Sequence, residues 1–290
     1  MMPTRIQSAL DAAGLQAGRI EVLWWIMFWV CAAVYVAVIG ALVIAMVRGR
    51  SADRARPGEG SLLRGVAVAT GLTVVILVGL LVASVVTGRA IGSLSSSEPV
   101  MIRVTGYQWW WKVEYPHSDP SQHFTTANEL HLPVGRPVAV RLQSADVIHS
   151  FWVPNLHGKM DLIPGRENWI WIQADTPGVY RGQCAEFCGL QHAHMSLVVI
   201  AESSDQYEQW AHAQRQPAAP PTTPQQSRGL NIVERGPCAM CHAIRGTIAG
   251  AVFGPDLTHF ASRSTIGAGT APNTRGYLAG WIADPQQLKP

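Results

Sequence analysis

The segment Cys184-Ala-Glu-Phe-Cys188-Gly-Leu-Gln-His192-Ala-His-Met195 places two thiols, an imidazole and a thioether within twelve residues. Thiolates and thioethers are soft ligands and imidazole is intermediate, which suits copper and not magnesium or calcium. A mononuclear blue-copper site uses one thiolate, so the second cysteine exceeds its needs. Two thiolates on one loop can instead bridge two copper ions. Each copper then needs its own imidazole, and His149, which we place at the end of an apolar strand, is the natural second histidine.

Two other readings of this segment are a disulfide between its cysteines and a structural zinc site. A structural zinc site usually pairs C-x(2–4)-C with a distant second pair and has no use for Met195. His194 alternates with His192 and is interpreted as a polar loop residue. Further histidines stand in no ligand spacing and are predicted to be surface or hydrogen-bonded side chains: His117, His123, His131, His157 and His212.

On these residues the chain resembles subunit II of cytochrome c oxidase, the subunit that carries the dinuclear copper A centre. The resemblance extends upstream to Gly106-Tyr-Gln-Trp-Trp-Trp-Lys-Val-Glu-Tyr115, to His149 and to Lys159-Met-Asp-Leu-Ile-Pro-Gly-Arg166, and it covers residues from about 20 to 200. It implies five side-chain ligands and one backbone carbonyl ligand for copper: His149, Cys184, Cys188, His192, Met195 and the carbonyl of Glu186.

The resemblance also implies roles for two more side chains. The Glu186 carboxylate would reach a magnesium site shared with subunit I, for which a hard oxygen donor is suitable. Trp109 matches the tryptophan at which an electron enters from cytochrome c. Strand alternation predicts that Trp109 and Trp111 share one face and that Trp110 takes the other. For Trp111 we favour packing in the core or an interface.

Two uncharged runs, residues 22–47 and 65–88, are predicted transmembrane helices. At ~1.5 Å per residue each run is about 36–39 Å long, enough to cross a ~30 Å hydrocarbon core. A signal peptide is the alternative for the first run, but that run is too long, lacks a small-residue cleavage site and precedes a second span. Cys31 lies mid-span and is predicted to be a small packing residue.

The connection between the spans, residues 48–64, contains five arginines and two acidic residues. The positive-inside rule therefore places it in the cytoplasm. Both termini and the metal domains would then lie on the outer, periplasmic face of a bacterial inner membrane. Whether the N-terminus is processed stays open.

Residues 1–99 therefore form an N-terminal segment and a helical hairpin, and residues 100–203 form a β domain. Its short apolar and aromatic runs are separated by Gly, Pro, Asn and Asp turns, a pattern typical of a sandwich or barrel. The runs are 101–105, 109–115, 137–142, 169–174, 179–183 and 196–200. The resemblance narrows the fold to a cupredoxin-like Greek-key barrel with the copper loop between its last two strands.

Residues 204–227 are predicted to be a polar helix and a stiff Pro-rich linker, which tethers a further domain, 228–290. That domain carries Cys238-Ala-Met-Cys241-His242, whose C-x-x-C-H order is typical of c-type haem attachment. Cys238 and Cys241 would form thioethers, and His242 would be the axial iron ligand. A thioredoxin-like motif and a zinc half-site are the alternatives. The segment resembles part of a small all-α class I cytochrome c.

A class I cytochrome c needs a distal methionine and a closing C-terminal helix, and no methionine follows Met240. His259 is the other strong-field candidate for the sixth ligand. We expect the natural chain to continue past Pro290 into a methionine loop and a helix.

The sequence thus predicts an electron-transfer subunit of a haem-copper terminal oxidase, a proton-translocating oxidoreductase. Electrons would pass from cytochrome c or another small donor to the haem, the copper A centre and subunit I, where oxygen is reduced. Other oxidase subunits and lipid are further partners. A net charge of +3 gives no indication of nucleic-acid binding. The copper A subunit of a nitric oxide reductase and a non-catalytic membrane copper or redox protein are alternatives. Nitrous oxide reductase would need several hundred further residues.

Overall fold

The computed structural model describes residues 4–49, 58–93, 96 and 99–290. Two long apolar helices come first, α1 (Leu15–Gly49) and α2 (Glu59–Gly92), each long and apolar enough to cross a membrane. Their apolar side chains lie on the outside, as suits helices surrounded by lipid. Both predicted spans are therefore confirmed as candidate spans. The arginine-rich connection falls largely on residues 50–57, outside the described residues.

The chain divides into two compact units, residues 18–94 and residues 1–17 with 95–290. Within the helical unit, the guanidinium of Arg19 near the start of α1 donates to the carbonyl of Ala90 near the end of α2. This contact brings one end of α1 to the far end of α2, as an antiparallel hairpin requires.

Residues 100–202 form a β-sandwich of two sheets, ordered β3-β2-β1-β5-β8 and β4-β10-β9-β6-β7. The core between the sheets contains large, fully buried side chains such as Trp111, Tyr180 and Phe151. The strands are β1 (Val100–Tyr107), β2 (Trp110–Tyr115), β3 (Phe124–Ala127), β4 (Glu129–Pro133), β5 (Val138–Ser144), β6 (His149–Trp152), β7 (Met160–Leu162), β8 (Asn168–Ile172), β9 (Gly178–Cys184) and β10 (Ser196–Glu202). A cupredoxin-like sandwich is thus confirmed.

Strands β3, β4, β6 and β7 fall outside the predicted runs. Strand β4 is buried along its whole length, although it contains Glu129 and His131. These polar residues hide the strand from a hydropathy pattern, because their partners lie far away in sequence. His131 Nδ1 lies 2.7 Å from Glu202 Oε1, and the imidazole stacks on Trp210. His131 is therefore a hydrogen-bonded buried histidine.

The residues before α1 pack on the sandwich. The amide of Ala13 donates to the carbonyl of Asn155 at 2.7 Å, and the Asn155 side chain donates to the carbonyl of Asp11 at 2.8 Å. Gly14 is required here because a Cβ would lie 2.5 Å from the carbonyl oxygen of Gln173. The sequence predicts no such contact, because it places this segment only with the two membrane-spanning helices.

Three helices and a short hairpin follow the sandwich among the described residues. These elements are α3 (Ser204–Arg215), α4 (Pro224–Arg235), β11 (Thr265–Ile266), β12 (Ala271–Pro272) and α5 (Arg275–Ala283). Helix α4 begins inside the expected linker because Thr223 and Gln226 form a capping box at its N-terminus. The linker also binds the following domain, since the amide of Ala218 donates to the carbonyl of Arg245 at 2.9 Å.

Candidate metal centre

Two adjacent strands fix the ends of the cysteine loop. β9 ends at Cys184 and β10 begins at Ser196, and the Cys184 amide donates to the carbonyl of Met195 at 2.9 Å. β6 lies on the other side of β9, where Phe151 pairs with Cys184. His149 is the first residue of β6 and so lies at the N-terminal end of that strand. Paired strands therefore hold both ends of this loop.

The candidate donor atoms form a connected cluster. Cys184 Sγ lies 3.8 Å from Cys188 Sγ, 3.9 Å from His149 Nδ1 and 3.2 Å from the carbonyl oxygen of Glu186. Cys188 Sγ in turn lies 3.7 Å from His192 Nδ1 and 3.9 Å from Met195 Sδ. The ligand atoms of His149, Cys184 and Cys188 all lie within 4.8 Å of one another, and all three residues are buried. These sulfur and nitrogen donors suit copper.

Groups around His149 fix the orientation of its ring. Its Nε2 lies 2.8 Å from Asp146 Oδ1, which leaves Nδ1 directed at the sulfur atoms. A carboxylate on the second ring nitrogen is the usual way in which a histidine ligand is oriented. Trp111 packs edge-on against the imidazole, with ring centroids 6.1 Å apart. On β1, Gly106 gives the ring room, since a Cβ there would lie 2.8 Å from His149 Cδ2.

The two thiols differ in acidity. Burial opposes ionisation of Cys184, but hydrogen bonding to His149 and to the Glu186 backbone lowers its pKa to about 6. Burial and the negative charge on Cys184 raise the pKa of Cys188 to about 12. Burial lowers the pKa of His149, yet hydrogen bonds to Cys184 and Asp146 leave it raised overall. A metal that binds both sulfurs must therefore displace a proton from Cys188.

Trp109 contacts the ligand loop directly. Its indole Nε1 donates to the carbonyl of Cys188 at 3.0 Å, and Gln108 Nε2 donates to the same oxygen at 2.8 Å. Trp109 is half-buried and lies just before the first residue of β2. Side-chain alternation along β2 therefore does not place Trp109 on the same face as Trp111. Trp111 is fully buried against Phe151 and His149, so its core role is confirmed.

The Glu186 side chain turns away from the sulfur atoms. Its Oε2 lies 3.2 Å from Lys159 Nζ, which also contacts Asp161 Oδ1 at 2.9 Å. Hydrogen bonds from Ser150 and Lys159 lower the pKa of Asp161. The backbone carbonyl of Glu186 thus faces Cys184 Sγ, whereas its side chain faces Lys159.

The C-x-x-C-H motif follows α4, in the short 3-10 helix Pro237–Met240 and the turn after it. Cys238 and Cys241 are free thiols, and Cys241 is exposed. The His242 Nδ1 lies 2.7 Å from the carbonyl oxygen of Pro255, so Nε2 is the nitrogen left for a metal. Gly254 is required beside this ring, because a Cβ would lie 2.7 Å from His242 Cε1. Nearby apolar side chains are exposed: Ile232, Met240, Ile248, Val252 and Phe253.

Residues 117–202 match the family model of the cytochrome c oxidase subunit II periplasmic domain. Cytochrome c oxidase subunit 2 of Alkalihalophilus pseudofirmus is 35% identical over 97% of this chain and 83% of that protein. The chain belongs to the cytochrome c oxidase subunit 2 family. The subunit 2 of Bacillus sp. PS3 is 31% identical, over 66% of this chain and 55% of that protein. The solved periplasmic domain of subunit II from Bradyrhizobium japonicum is 30% identical, with a TM-score of 0.39, over 42% of this chain and 97% of that one.

This subunit 2 is therefore an electron-transfer subunit of a haem-copper oxidase, with a copper site that resembles copper A. It is a membrane protein with two candidate spans and a periplasmic metal domain. Several residues that shape the site were missed in the sequence, namely Asp146, Gln108 and Gly106. Asp146 stands three residues before His149, and that spacing was the one available signal.

Proposed function

We propose that this subunit holds a dinuclear copper A centre through His149, Cys184, Cys188, His192, Met195 and the carbonyl of Glu186. The observation that supports the proposal best is the 3.8 Å separation of the two buried sulfur atoms, each with an imidazole nitrogen within 3.9 Å. Two thiolates so placed can bridge two metal ions, and the histidines can complete one ion each. When bound, the copper pair would accept one electron at a time and pass it to subunit I, where oxygen is reduced.

The remaining groups hold this centre and connect it to its surroundings. The Asp146 carboxylate orients His149, and β9 and β10 keep the sulfur atoms in place. The Glu186 carboxylate, 44% exposed, faces outward and would bind magnesium at the contact with subunit I. Trp109 connects the surface to the ligand loop through its bond to the Cys188 carbonyl, and we assign it as the electron entry residue.

The copper assignment is tested with Cys188→Ser and Met195→Leu in the full chain. Loss of a bridging thiolate should abolish the dinuclear site, together with the paramagnetic resonance signal of one electron shared over two copper nuclei. Loss of the thioether should leave two coppers bound with a shifted potential, because a thioether is a weak ligand. A Cys188→Ser protein that kept two coppers and the shared electron would contradict the assignment.

We further propose that residues 228–290 bind one c-type haem through Cys238, Cys241 and His242. The free thiols, the imidazole with Nε2 available and the surrounding exposed apolar side chains suit a flat apolar macrocycle held by two thioethers. The match to the Alkalihalophilus protein covers 97% of this chain and so includes most of residues 228–290. The haem would receive electrons from cytochrome c or another small donor.

The double variant Cys238→Ser/Cys241→Ser tests the haem separately from the copper. The mass spectrum of the denatured variant should no longer show a covalent haem adduct. The copper signal should remain, since the two proposed ligand sets share no residue. An unmodified mass in the native protein would refute haem attachment and leave the copper proposal intact.

Both termini and both metal domains would face the periplasm at a bacterial inner membrane, with the arginine-rich loop in the cytoplasm.

A further inference from the structure

The C-terminal domain, residues 228–290, makes polar contacts with the copper domain that satisfy a buried charge. Both the amide and the hydroxyl of Ser264 donate to Glu129 Oε1, each at 2.7 Å. Glu129 is only 6% exposed. An unpaired carboxylate at such a site would be costly, so the loop that contains Ser264 completes the copper domain's own hydrogen bonding.

A second contact lies beside a proposed copper ligand. Ser196 directly follows Met195, and its amide and hydroxyl donate to the carbonyl of Ala268 at 3.0 and 2.8 Å. The next residue, Gly269, lies so close that a Cβ would overlap the Ser196 Oγ. A glycine at 269 is thus needed both for its φ of +78° and for this close approach.

Lys289 links the C-terminal domain to Trp109 and to the ligand loop of the copper domain. Its Nζ donates to the carbonyls of Trp109 at 2.7 Å, His194 at 3.0 Å and Gly267 at 3.1 Å. One ammonium group therefore contacts the C-terminal domain, the copper loop and the tryptophan whose indole binds the Cys188 carbonyl. Burial lowers the pKa of this ammonium group to about 8.

We propose that the loop from Ser264 to Gly269, together with Lys289, is a lock that holds the C-terminal domain in one fixed position on the copper domain, with Lys289 as the positioning residue. The fixed position holds the domain that carries the proposed haem-attachment motif against Trp109 and the ligand loop, in place of a domain that swings on its linker. The short linker keeps the C-terminal domain at a high effective concentration near the copper domain, so a few polar contacts suffice to hold the two together. The functional consequence rests on the proposed haem and copper functions, but the lock itself does not.

Hydrogen–deuterium exchange of the full chain in detergent, without added metal, tests the lock. Gly269→Ala inserts a methyl group against Ser196 and should release the contact. Amides in peptides that contain Ser196 or Ser264 should then exchange at least about tenfold faster. Gly135→Ala is the matched control, because Gly135 has a φ of +75° and a Cβ there meets nothing within 4 Å. Equal effects of the two variants, or an unprotected Ser196 amide in the native chain, would overturn the lock.

Lys289→Met and Lys289→Arg test the positioning role in the metal-loaded complex. The methionine variant should keep the copper and haem spectra but slow electron transfer between them after photoreduction by at least about tenfold, and arginine should restore part of the rate. Lys112→Met, on β2, should change nothing. An unchanged transfer rate in Lys289→Met would overturn the positioning role. If the native protein lacks either metal group, the proposed function fails, while the exchange result still decides the lock.

Discussion

Glu186 separates two tasks between its backbone and its side chain. The carbonyl lies 3.2 Å from Cys184 Sγ, while the carboxylate pairs with Lys159 on the outside. We predict that Glu186→Gln keeps the copper absorption and resonance signals, because the backbone is unchanged. The same variant should bind manganese, as a probe for magnesium, about 10–100-fold more weakly. Loss of copper with intact manganese binding would reverse these roles.

Asp146 contributes to the site without contacting a sulfur atom. Its carboxylate lies 2.8 Å from His149 Nε2 and also accepts a bond from the Gln108 amide at 2.7 Å. We predict that Asp146→Asn lowers copper affinity about 10–100-fold, because the His149 ring loses its charged orienting partner. Competition with a copper chelator measures the change. Asp119→Asn, on an exposed turn, is the control, and equal affinities in the two variants would contradict the prediction.

At the scale of elements, strand β1 leaves room for the His149 ring because Gly106 has no side chain. A Cβ at Gly106 would lie 2.8 Å from His149 Cδ2, and a Cβ at Gly182 on β9 would lie 2.5 Å from Leu197 Cδ2. Both alanine variants should lose about 1–3 kcal/mol of stability through overpacking. We predict that Gly106→Ala also displaces His149 and lowers copper content, whereas Gly182→Ala retains copper. If the two variants lost copper in equal proportion to their loss of stability, the copper loss in Gly106→Ala would be a general effect of overpacking.

The sequence predicts those elements whose signal is local. The two spans, the helix α3 and the ligand loop each follow from composition or from spacing within a few residues. β4 does not, because its buried Glu129 and His131 are stabilised by Ser264 and Glu202 far along the chain. Lys289 and Gly269 carry no motif for the same reason. Contacts between distant segments are what single-sequence reasoning lacks.

At the scale of the whole molecule, the position of the N-terminal residues bears on membrane topology. The amide of Arg5 donates to the Val179 carbonyl at 3.0 Å, and the Asn155 side chain donates to the Ile6 carbonyl at 3.1 Å. The N-terminal segment therefore lies on the same side as the copper domain, which is periplasmic in this family. Two spans return the chain to that side, in agreement with the arginine count of the connection.

We therefore predict opposite accessibility for two engineered cysteines in a Cys31→Ser background. Ala9→Cys, at an exposed position in the N-terminal segment, should react with a membrane-impermeant maleimide in intact spheroplasts. Ser51→Cys, among the arginines of the connection, should react only after the membrane is permeabilised. The background protein controls for labelling of Cys184, Cys188, Cys238 and Cys241, which copper and haem should protect. Labelling of Ser51→Cys in intact spheroplasts would place the arginine-rich loop outside, and the positive-inside argument for this chain would be wrong.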